Sequence, residues 1–488
     1  MDSNKSNFFN DKNILVFGLG KSGLSALDKL SVISKSISAV DNNPNFILPE
    51  EYSKLSENDD INFFIGSSDD LISKLLSDTD LIILSPGVSM NLPFIKKAVR
   101  KKIKIWSELE LAWYFMDENQ KQKTIAITGT NGKTTVTSLI GKILNDFGLK
   151  AQTCGNIGNP LLNTLKIKSY LNSKYLNEAR YADDLIRVME VSSFQLENTY
   201  AFNPHVAIIL NITNDHIDRH KSMANYANIK FKISQNQTED DYLIVNTDDK
   251  CILKFLKKAN FQKELKSDLI RFSLTGKKAD EIYYKNEKIK YCFAGFTGNI
   301  SIKGMNLIGN HNISNVMSAV GAVKIFNTDD LSIENSVKSF TALPHRLEYI
   351  GRINSIKCFN DSKATNPDAT IKALEHFKKE VTLILGGLDK GMDFKSMIPI
   401  LNKKVLNLIL IGSCKESLYK TFSESPHDYK TYKVTTLEEA VNKGFEITEK
   451  NNSFLLSPAC ASMDMFKDYK DRGEQFRKLV LAREIIKC

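Results

Sequence analysis

The sequence predicts an α/β protein built as three units in a row. Two observations carry this. Short apolar runs end repeatedly in glycine or small polar residues, as in "NILVFGLG", "KTIAITGT" and "TLILGG", and segments of helical spacing lie between such runs. At 488 residues the chain also exceeds what one core of about 100–200 residues accommodates.

The elements follow in order. "NILVF" reads as a strand, "KSGLSALDKLSVI" as a helix and "SISAVD" as a second strand. "DLIILSPGV" is a further apolar run closed by Ser-Pro-Gly. This βαβ rhythm predicts a parallel sheet that ends near residue 117. "KTIAITGT" opens the second unit as a strand, and "TTVTSLIGKIL" follows as a helix. "IRVMEVS", "VAIILNIT" and "YLIVNTD" are its later strands, and the polar stretch "KIKSYLNSKYLNEARYADD" before them reads as a surface excursion. Residues near 270–305 read as short strands and turns, and "NHNISNVMSAVGAVKIF" as a helix with a small, apolar packing face. "ALPHRLEYI" marks the next change of register, after which "TLILGG", "LNLILIG" and "SFLLSPA" are strands of buried type. The expected domains are residues 1–117, 118–343 and 344–488. No heptad or fixed-period repeat interrupts the pattern.

Bulk properties exclude several classes. Hydrophobic content of 42% and charged content of 25% suit a globular protein in water. No run of about 18 apolar residues predicts a membrane span, and the polar start lacks an apolar signal region, so a cytoplasmic location is expected. The net charge of +9 comes from lysines scattered among Asp, Glu and Asn. It reads as a solvated surface, with no nucleic-acid or membrane partner, and local positive charge suits an anionic small substrate. Cys154, Cys251, Cys292, Cys358, Cys414, Cys460 and Cys488 form no C-x-x-C pair and are odd in number, so free thiols are expected.

Two glycine loops carry the chemistry. Gly18-x-Gly20-x-x-Gly23 follows a strand, opens a helix and is followed by Asp41 at the end of the next strand. This is a full dinucleotide fingerprint: the backbone can approach a pyrophosphate, and the acidic residue can hold a ribose. A nicotinamide cofactor and a UDP sugar both satisfy it. The second loop, "GTNGKTT", matches only the end of G-x-x-x-x-G-K-[ST], because Ile127 stands where the first glycine would fall. Its backbone can still cradle phosphates, Lys133 can reach the terminal oxygens, and Thr134 or Thr135 can meet Mg²⁺. Two such loops in one chain favour an ATP-driven enzyme acting on a nucleotide-linked substrate.

Candidate residues cluster at strand ends. Glu190 closes "IRVME", and Asp215, His216 and Asp218 follow "VAIILNIT". Strand ends line the ligand crevice of α/β sheets, so Glu190 and His216 could share a metal with the phosphate loop. A histidine is a less usual ligand for Mg²⁺ than oxygen is. The third unit offers Asp361, Lys363 and Thr365 in "NDSKATNP", Lys390 in "GGLDK", and Ser462 in "SPACAS". Lysines and hydroxyls there suit a carboxylate-bearing substrate. Ordinary loop chemistry accounts for them equally well on spacing alone.

Taken together, "TGTNGKTT", "GNIG", "EVSSFQLE", "NITNDHIDRH", "GNHN", "LPHR", "NDSKATNP" and "LLSPACASMDMFKDYKDRG" resemble the Mur ligase family, in this order and over nearly the whole chain. The resemblance implies a Rossmann-like N-terminal domain, a P-loop-type central ATPase domain and a Rossmann-like C-terminal domain. It implies ATP-dependent addition of D-glutamate to UDP-N-acetylmuramoyl-L-alanine through an acyl phosphate, with ATP and Mg²⁺ as cofactors, in a monomer. On this resemblance Gly18, Leu19, Gly20, Lys21, Ser22, Asp41, Ser85, Pro86, Gly87 and Asn156 face the UDP substrate. Gly129, Thr130, Asn131, Gly132, Lys133, Thr134, Thr135, Asn312, Arg346 and Asp361 hold ATP. Thr134, Glu190, His216 and a carbamylated Lys230 hold the metal, with Lys133, Glu190, His216 and Lys230 as the catalytic set. Lys363, Thr365, Lys390, Ser462, Met463 and Tyr469 take the D-glutamate side. The alternatives are another amide ligase of the superfamily, a nicotinamide oxidoreductase, or a nucleotide sensor without turnover.

Overall fold

The structure, a computed structural model, describes residues 8–165, 184–276, 281–307, 309–341, 344–378 and 380–485. The polar excursion before Glu190 lies outside these residues, apart from Asp184 at its end.

The chain forms two compact units. The first comprises residues 1–212, 224–303 and 314–337 and holds two sheets. Its first sheet contains β1 (Asn13–Phe17), β2 (Ser36–Asp41), β3 (Ile61–Ile65), β4 (Leu81–Leu84) and β5 (Lys104–Ser107), all parallel, in the order β3-β2-β1-β4-β5. The chain reverses its winding at β1, so the loops after β1 and β4 diverge and open a crevice between them. Those are the loops of Gly18 and Ser85.

The second sheet contains β6 (Thr124–Thr128), β7 (Ala151–Gly155), β8 (Ile186–Glu190), β9 (Val206–Ile209), β10 (Tyr242–Asn246), β11 (Asp268–Ser273), β12 (Ile282–Lys285), β13 (Lys288–Phe293) and β14 (Phe296–Ser301). Its order is β14-β13-β12-β11-β10-β9-β6-β8-β7. The strands from β7 to β12 are parallel, and only the β12–β13–β14 end is antiparallel. β6 lies between β8 and β9 and is buried along its whole length, as continuous apolar strands covered on both faces must be. Ile127 is inside β6, paired with Glu190 and Ile208. It delivers the loop and is not a lost glycine.

The two sheets meet at the helix Glu108–Phe115. Seven of its eight residues are buried, including both glutamates. Glu110 accepts the backbone N–H groups of Tyr200, Ala201 and Phe202 at 3.0, 2.8 and 3.2 Å. Glu108 accepts that of Leu162 at 2.7 Å. Backbone donors from the second-sheet region thus reach both carboxylates of a helix that follows the first sheet.

The second unit comprises residues 213–223, 304–313 and 338–488. Its sheet contains β15 (Glu348–Ile353), β16 (Ile356–Asn360), β17 (Val381–Gly386), β18 (Val405–Ile411), β19 (Lys430–Lys433) and β20 (Ser453–Leu456), in the order β15-β16-β20-β17-β18-β19. Only the β15–β16 pair is antiparallel. Leu383, Leu385, Leu408, Leu410 and Leu455 pack one face of this sheet, and Ile384, Ile409, Ile411, Phe454 and Leu456 pack the other. The segments around His216 and Asn312 belong to this unit.

Candidate active site

The first crevice is built from close backbone contacts. A side chain at Gly23 would place its Cβ 2.0 Å from the Gly18 carbonyl oxygen, so only glycine lets the helix Lys21–Leu30 start so near β1. Ser85 Oγ donates to that same carbonyl at 2.6 Å and locks the two loops of the crevice together. Asp41 was expected to hold a ribose. Its Oδ2 accepts Leu19 N–H at 2.7 Å and its Oδ1 accepts Asn43 N–H at 2.9 Å, so it also braces the glycine loop. Lys21 and Gly87 are exposed, and Ser22 and Pro86 are half-buried.

The loop after β6 is the densest polar site. Gly132 has φ +87, and a Cβ there would lie 2.6 Å from Asn315 Oδ1. The helix Lys133–Asp146 begins at once, so its first N–H groups face the loop with the positive end of the helix dipole. Lys133 Nζ folds back to donate to the carbonyls of Gly129 and Thr130 at 2.7 and 2.8 Å. Lys230 Nζ, 1% exposed, donates to the same Gly129 carbonyl at 2.9 Å and lies 4.6 Å from the Tyr226 ring centre. Two lysines therefore converge on one loop carbonyl. Opposite them Glu190, 3% exposed, accepts Thr134 Oγ1 at 2.6 Å and Asn156 Nδ2 at 2.8 Å. Asn156, expected on the UDP-substrate side, joins this carboxylate cluster.

Asn211 holds the loop's shape and was missed on sequence. Its carbonyl accepts Thr130 N–H at 2.9 Å, its Oδ1 accepts Asn131 N–H at 2.8 Å, and its Nδ2 donates to Asn131 O at 3.0 Å. The clue was available: Asn211 lies two residues past the buried strand β9, in the stretch "LNITNDH".

Thr134 and Glu190 are hard oxygen donors at the mouth of a phosphate-type loop. Among the described residues no three His, Cys, Asp or Glu side chains gather to make a closed metal cage. Such a sparse set fits Mg²⁺, which retains waters and substrate phosphates as ligands. Lys230 is in reach of the same loop.

In the C-terminal unit, His216 has a left-handed backbone (φ +54) and caps the short helix Ile217–His220. Its Nε2 lies 3.6 Å from Asp215 Oδ2, which also accepts Asn366 Nδ2 at 3.3 Å. Asp218 falls on that helix. Asn312 lies in the first turn of the helix Asn310–Ile325, and Arg346 is half-buried in the loop before β15. Asp361 follows β16, where its carboxylate accepts Ser457 Oγ at 2.7 Å and Leu347 N–H at 3.0 Å. Burial pushes its carboxyl up to about 7, against the pull of these donors and of Arg346 and Arg472. Lys363 Nζ donates to the Tyr469 hydroxyl at 3.0 Å, so the phenol fixes the lysine's position.

The loop carrying Lys390 pairs with the loop carrying Ser462: Leu388 and Ala461 exchange backbone hydrogen bonds of 2.9 and 3.1 Å. Ser462 is buried beside that bridge, and Met463 is 62% exposed. Thr365 is half-buried on the loop after Lys363. Arg472, also missed on sequence, gathers these loops. Its guanidinium, 2% exposed, donates to Ser362 Oγ and to the carbonyls of Ser362, Cys460 and Ala461.

Comparison with known proteins finds matches along most of the chain. The N-terminal domain of MurD-like Mur ligases matches residues 12–107, the Mur ligase middle domain residues 127–323, and the Mur ligase glutamate ligase domain residues 345–460. The UDP-N-acetylmuramoylalanine--D-glutamate ligase of Caldanaerobacter subterraneus subsp. tengcongensis is 36% identical over 474 residues, covering 96% of this chain and 98% of that one. The protein of the same name from Thermoanaerobacter sp. strain X514 is 38% identical over 475 residues, with 96% and 98% covered. Among solved structures, the MurF ligase of Thermotoga maritima in complex with ADP superposes with a TM-score of 0.53 at 14% identity, covering 98% of this chain and 97% of that one. With all three domains matched and near-complete coverage at this identity, the chain belongs to the Mur ligase family, in its MurD-like branch.

Proposed function

We propose that this chain is an ATP-dependent ligase that joins D-glutamate to UDP-N-acetylmuramoyl-L-alanine in peptidoglycan precursor synthesis. The observation that supports it most is the loop after β6. It combines a backbone cradle at Gly129–Gly132, a lysine in the first helical position and a Thr134–Glu190 oxygen pair. The curated relatives carry the name of this reaction.

In this reading the first crevice holds the UDP moiety on the backbone of Gly18 to Ser22 and on the Ser85–Gly87 loop. The substrate's alanine carboxylate attacks the γ-phosphorus of ATP, and the product is an acyl phosphate and ADP. The amine of D-glutamate then attacks the acyl carbon, and phosphate leaves. Phosphoryl transfer of this kind needs alignment and positive potential more than covalent help from the protein. Lys133 and the N-terminus of the helix Lys133–Asp146 supply that potential. Thr134, Glu190, His216 and a carbamylated Lys230 would hold Mg²⁺, which neutralises phosphate charge when bound. Asn312, Arg346 and Asp361 complete the ATP side. Lys363, Thr365, Lys390, Ser462, Met463 and Tyr469 receive D-glutamate, the lysines matching its carboxylates. The domains are residues 1–117, 118–343 and 344–488, and the protein acts as a cytoplasmic monomer.

An amino-acid panel tests the reading. With ATP, Mg²⁺ and UDP-N-acetylmuramoyl-L-alanine, phosphate release should be stimulated by D-glutamate and not by L-alanine, L-lysine or diaminopimelate. Stimulation by one of those instead would reassign the chain to another Mur activity. A Lys230→Ala variant that keeps full activity would remove the carbamate from the account.

A further inference from the structure

Cys414 and Cys460 stand outside the ligand-facing residues described above, yet they are the closest thiols among the described residues. Their sulfurs are 3.5 Å apart, both are free, and they are 7% and 1% exposed. They are 46 positions apart and follow strands that are not neighbours: Cys414 follows β18, Cys460 follows β20, and β17 lies between those strands.

The reason they can meet is a pair of glycines, Gly387 after β17 and Gly412 after β18. A Cβ at Gly387 would lie 2.2 Å from the Ala461 carbonyl oxygen and 3.1 Å from Cys460 Cβ, while one at Gly412 would lie 2.6 Å from Gly387 Cα. Only bare backbone at both positions lets the flanking loops close over the central strand. Cys414 N–H also donates to the Gly387 carbonyl at 3.1 Å, which fixes the base of its side chain against this seam.

We infer that Cys414 and Cys460 form an oxidative modification site, a dithiol that a peroxide converts to a disulfide and a thiol reductant restores. The Cys414 thiolate attacks one peroxide oxygen, the O–O bond breaks, and the departing hydroxide takes a proton to become water. The Cys460 sulfur then displaces hydroxide from the resulting sulfenic sulfur. That hydroxide takes the Cys460 proton, and the net change is two thiols and one hydrogen peroxide to one disulfide and two waters. The electrostatics suit this order of events. Cys414 is held below the usual thiol range, chiefly by the hydrogen bond with Cys460, and Cys460 is pushed well above it by that same bond and by burial.

Closing the bond has a mechanical consequence. The sulfurs must approach to about 2.05 Å. The backbone they pull on carries Leu388 and Ala461, which are bonded to each other at 2.9 and 3.1 Å and lead directly to Lys390 and Ser462. A shift on the order of 1 Å in such residues is enough to impair a site whose partners must be aligned. The loss of ligase activity expected below rests on the proposed function; formation of the bond does not.

The test is hydrogen peroxide treatment of the full chain, followed by alkylation of remaining thiols and peptide mass mapping. The expected result is a cross-linked pair of peptides containing residues 414 and 460, lighter by two hydrogens than the separate peptides. Activity should fall several-fold with its appearance and return with dithiothreitol. Cys414→Ala and Cys414→Ser should retain basal activity and resist peroxide, whereas Cys292→Ala should stay sensitive. Oxidation without the 414–460 link overturns the site. A link that forms with activity unchanged overturns its effect on the loops. A chain with no ligase activity before oxidation counts against the proposed function and leaves the mass measurement to decide the bond.

Discussion

Lys133 illustrates how a residue's role depends on what its partners can give up. Its ammonium is satisfied by two loop carbonyls, Gly129 and Thr130. Both are neutral acceptors, and a phosphate oxygen is a stronger, charged one. Lys133→Ala should therefore lower turnover by about a hundred- to a thousandfold, with unfolding temperature nearly unchanged; a near-normal rate would remove Lys133 from the mechanism. Tyr469 gives a finer test. Tyr469→Phe keeps the ring and removes the hydroxyl that accepts from Lys363. We expect KM for D-glutamate to rise by about ten- to a hundredfold, the worth of one hydrogen bond to a charged group, with KM for ATP unchanged; an equal rise in both would contradict an amino-acid-side role. Lys133, Thr134 and Glu190 were legible in the sequence because each sits beside a recognisable glycine loop or strand end. Asn211 and Arg472 were not singled out, since Asn131 lies 80 positions from the one and Ser362 lies 110 positions from the other, and nothing local marks either pairing.

At the scale of elements, the phosphate loop is as much a packing device as a binding one. Gly132→Ala forces a side chain into left-handed backbone and against Asn315. It should cost about 1–3 kcal/mol of stability and weaken ATP binding; calorimetry showing wild-type affinity would refute the cradle. The helix Glu108–Phe115 carries a pH signature. Burial pushes the Glu108 carboxyl up to about 7, only partly offset by the Leu162 N–H bond. The folded state thus holds a proton that the unfolded chain releases at its ordinary carboxyl range near 4.5. The stability this proton supplies is full below that range and is lost as pH rises through about 7. Glu108→Gln should be more stable than the parent by on the order of 2 kcal/mol at alkaline pH, with the difference shrinking towards pH 5. Denaturation curves that stay parallel across this range would contradict the assignment. The buried strands β1, β4, β6, β9, β17, β18 and β20 were readable as largely apolar runs. β15, β16 and β19 were not picked out: "EYIGRI" and "KTYK" alternate or expose their residues, and β16 is interrupted by a lysine. Edge and near-edge positions leave such a pattern weak.

On the scale of the whole molecule, strand ends collect the candidate site residues in all three sheets. Gly18 follows β1, the Gly129–Lys133 loop follows β6, Glu190 ends β8, Asp361 follows β16 and Ser462 follows β20. The three-unit reading of the sequence came from strand and helix alternation, and the family assignment agrees with it. What alternation could not convey is the grouping by contacts: the first two sheets form one compact unit, and the segments around His216 and Asn312 belong to the C-terminal one. Short segments that leave their sheet to join another unit carry no periodic signature of their own.

The central claim is that the substrate carboxylate attacks ATP to give an acyl phosphate. UDP-N-acetylmuramoyl-L-alanine labelled with ¹⁸O in its alanine carboxylate, turned over with ATP and D-glutamate, tests it most directly. The account predicts that one labelled oxygen leaves in the phosphate and the other stays in the new amide. Product formed with unlabelled phosphate would contradict it.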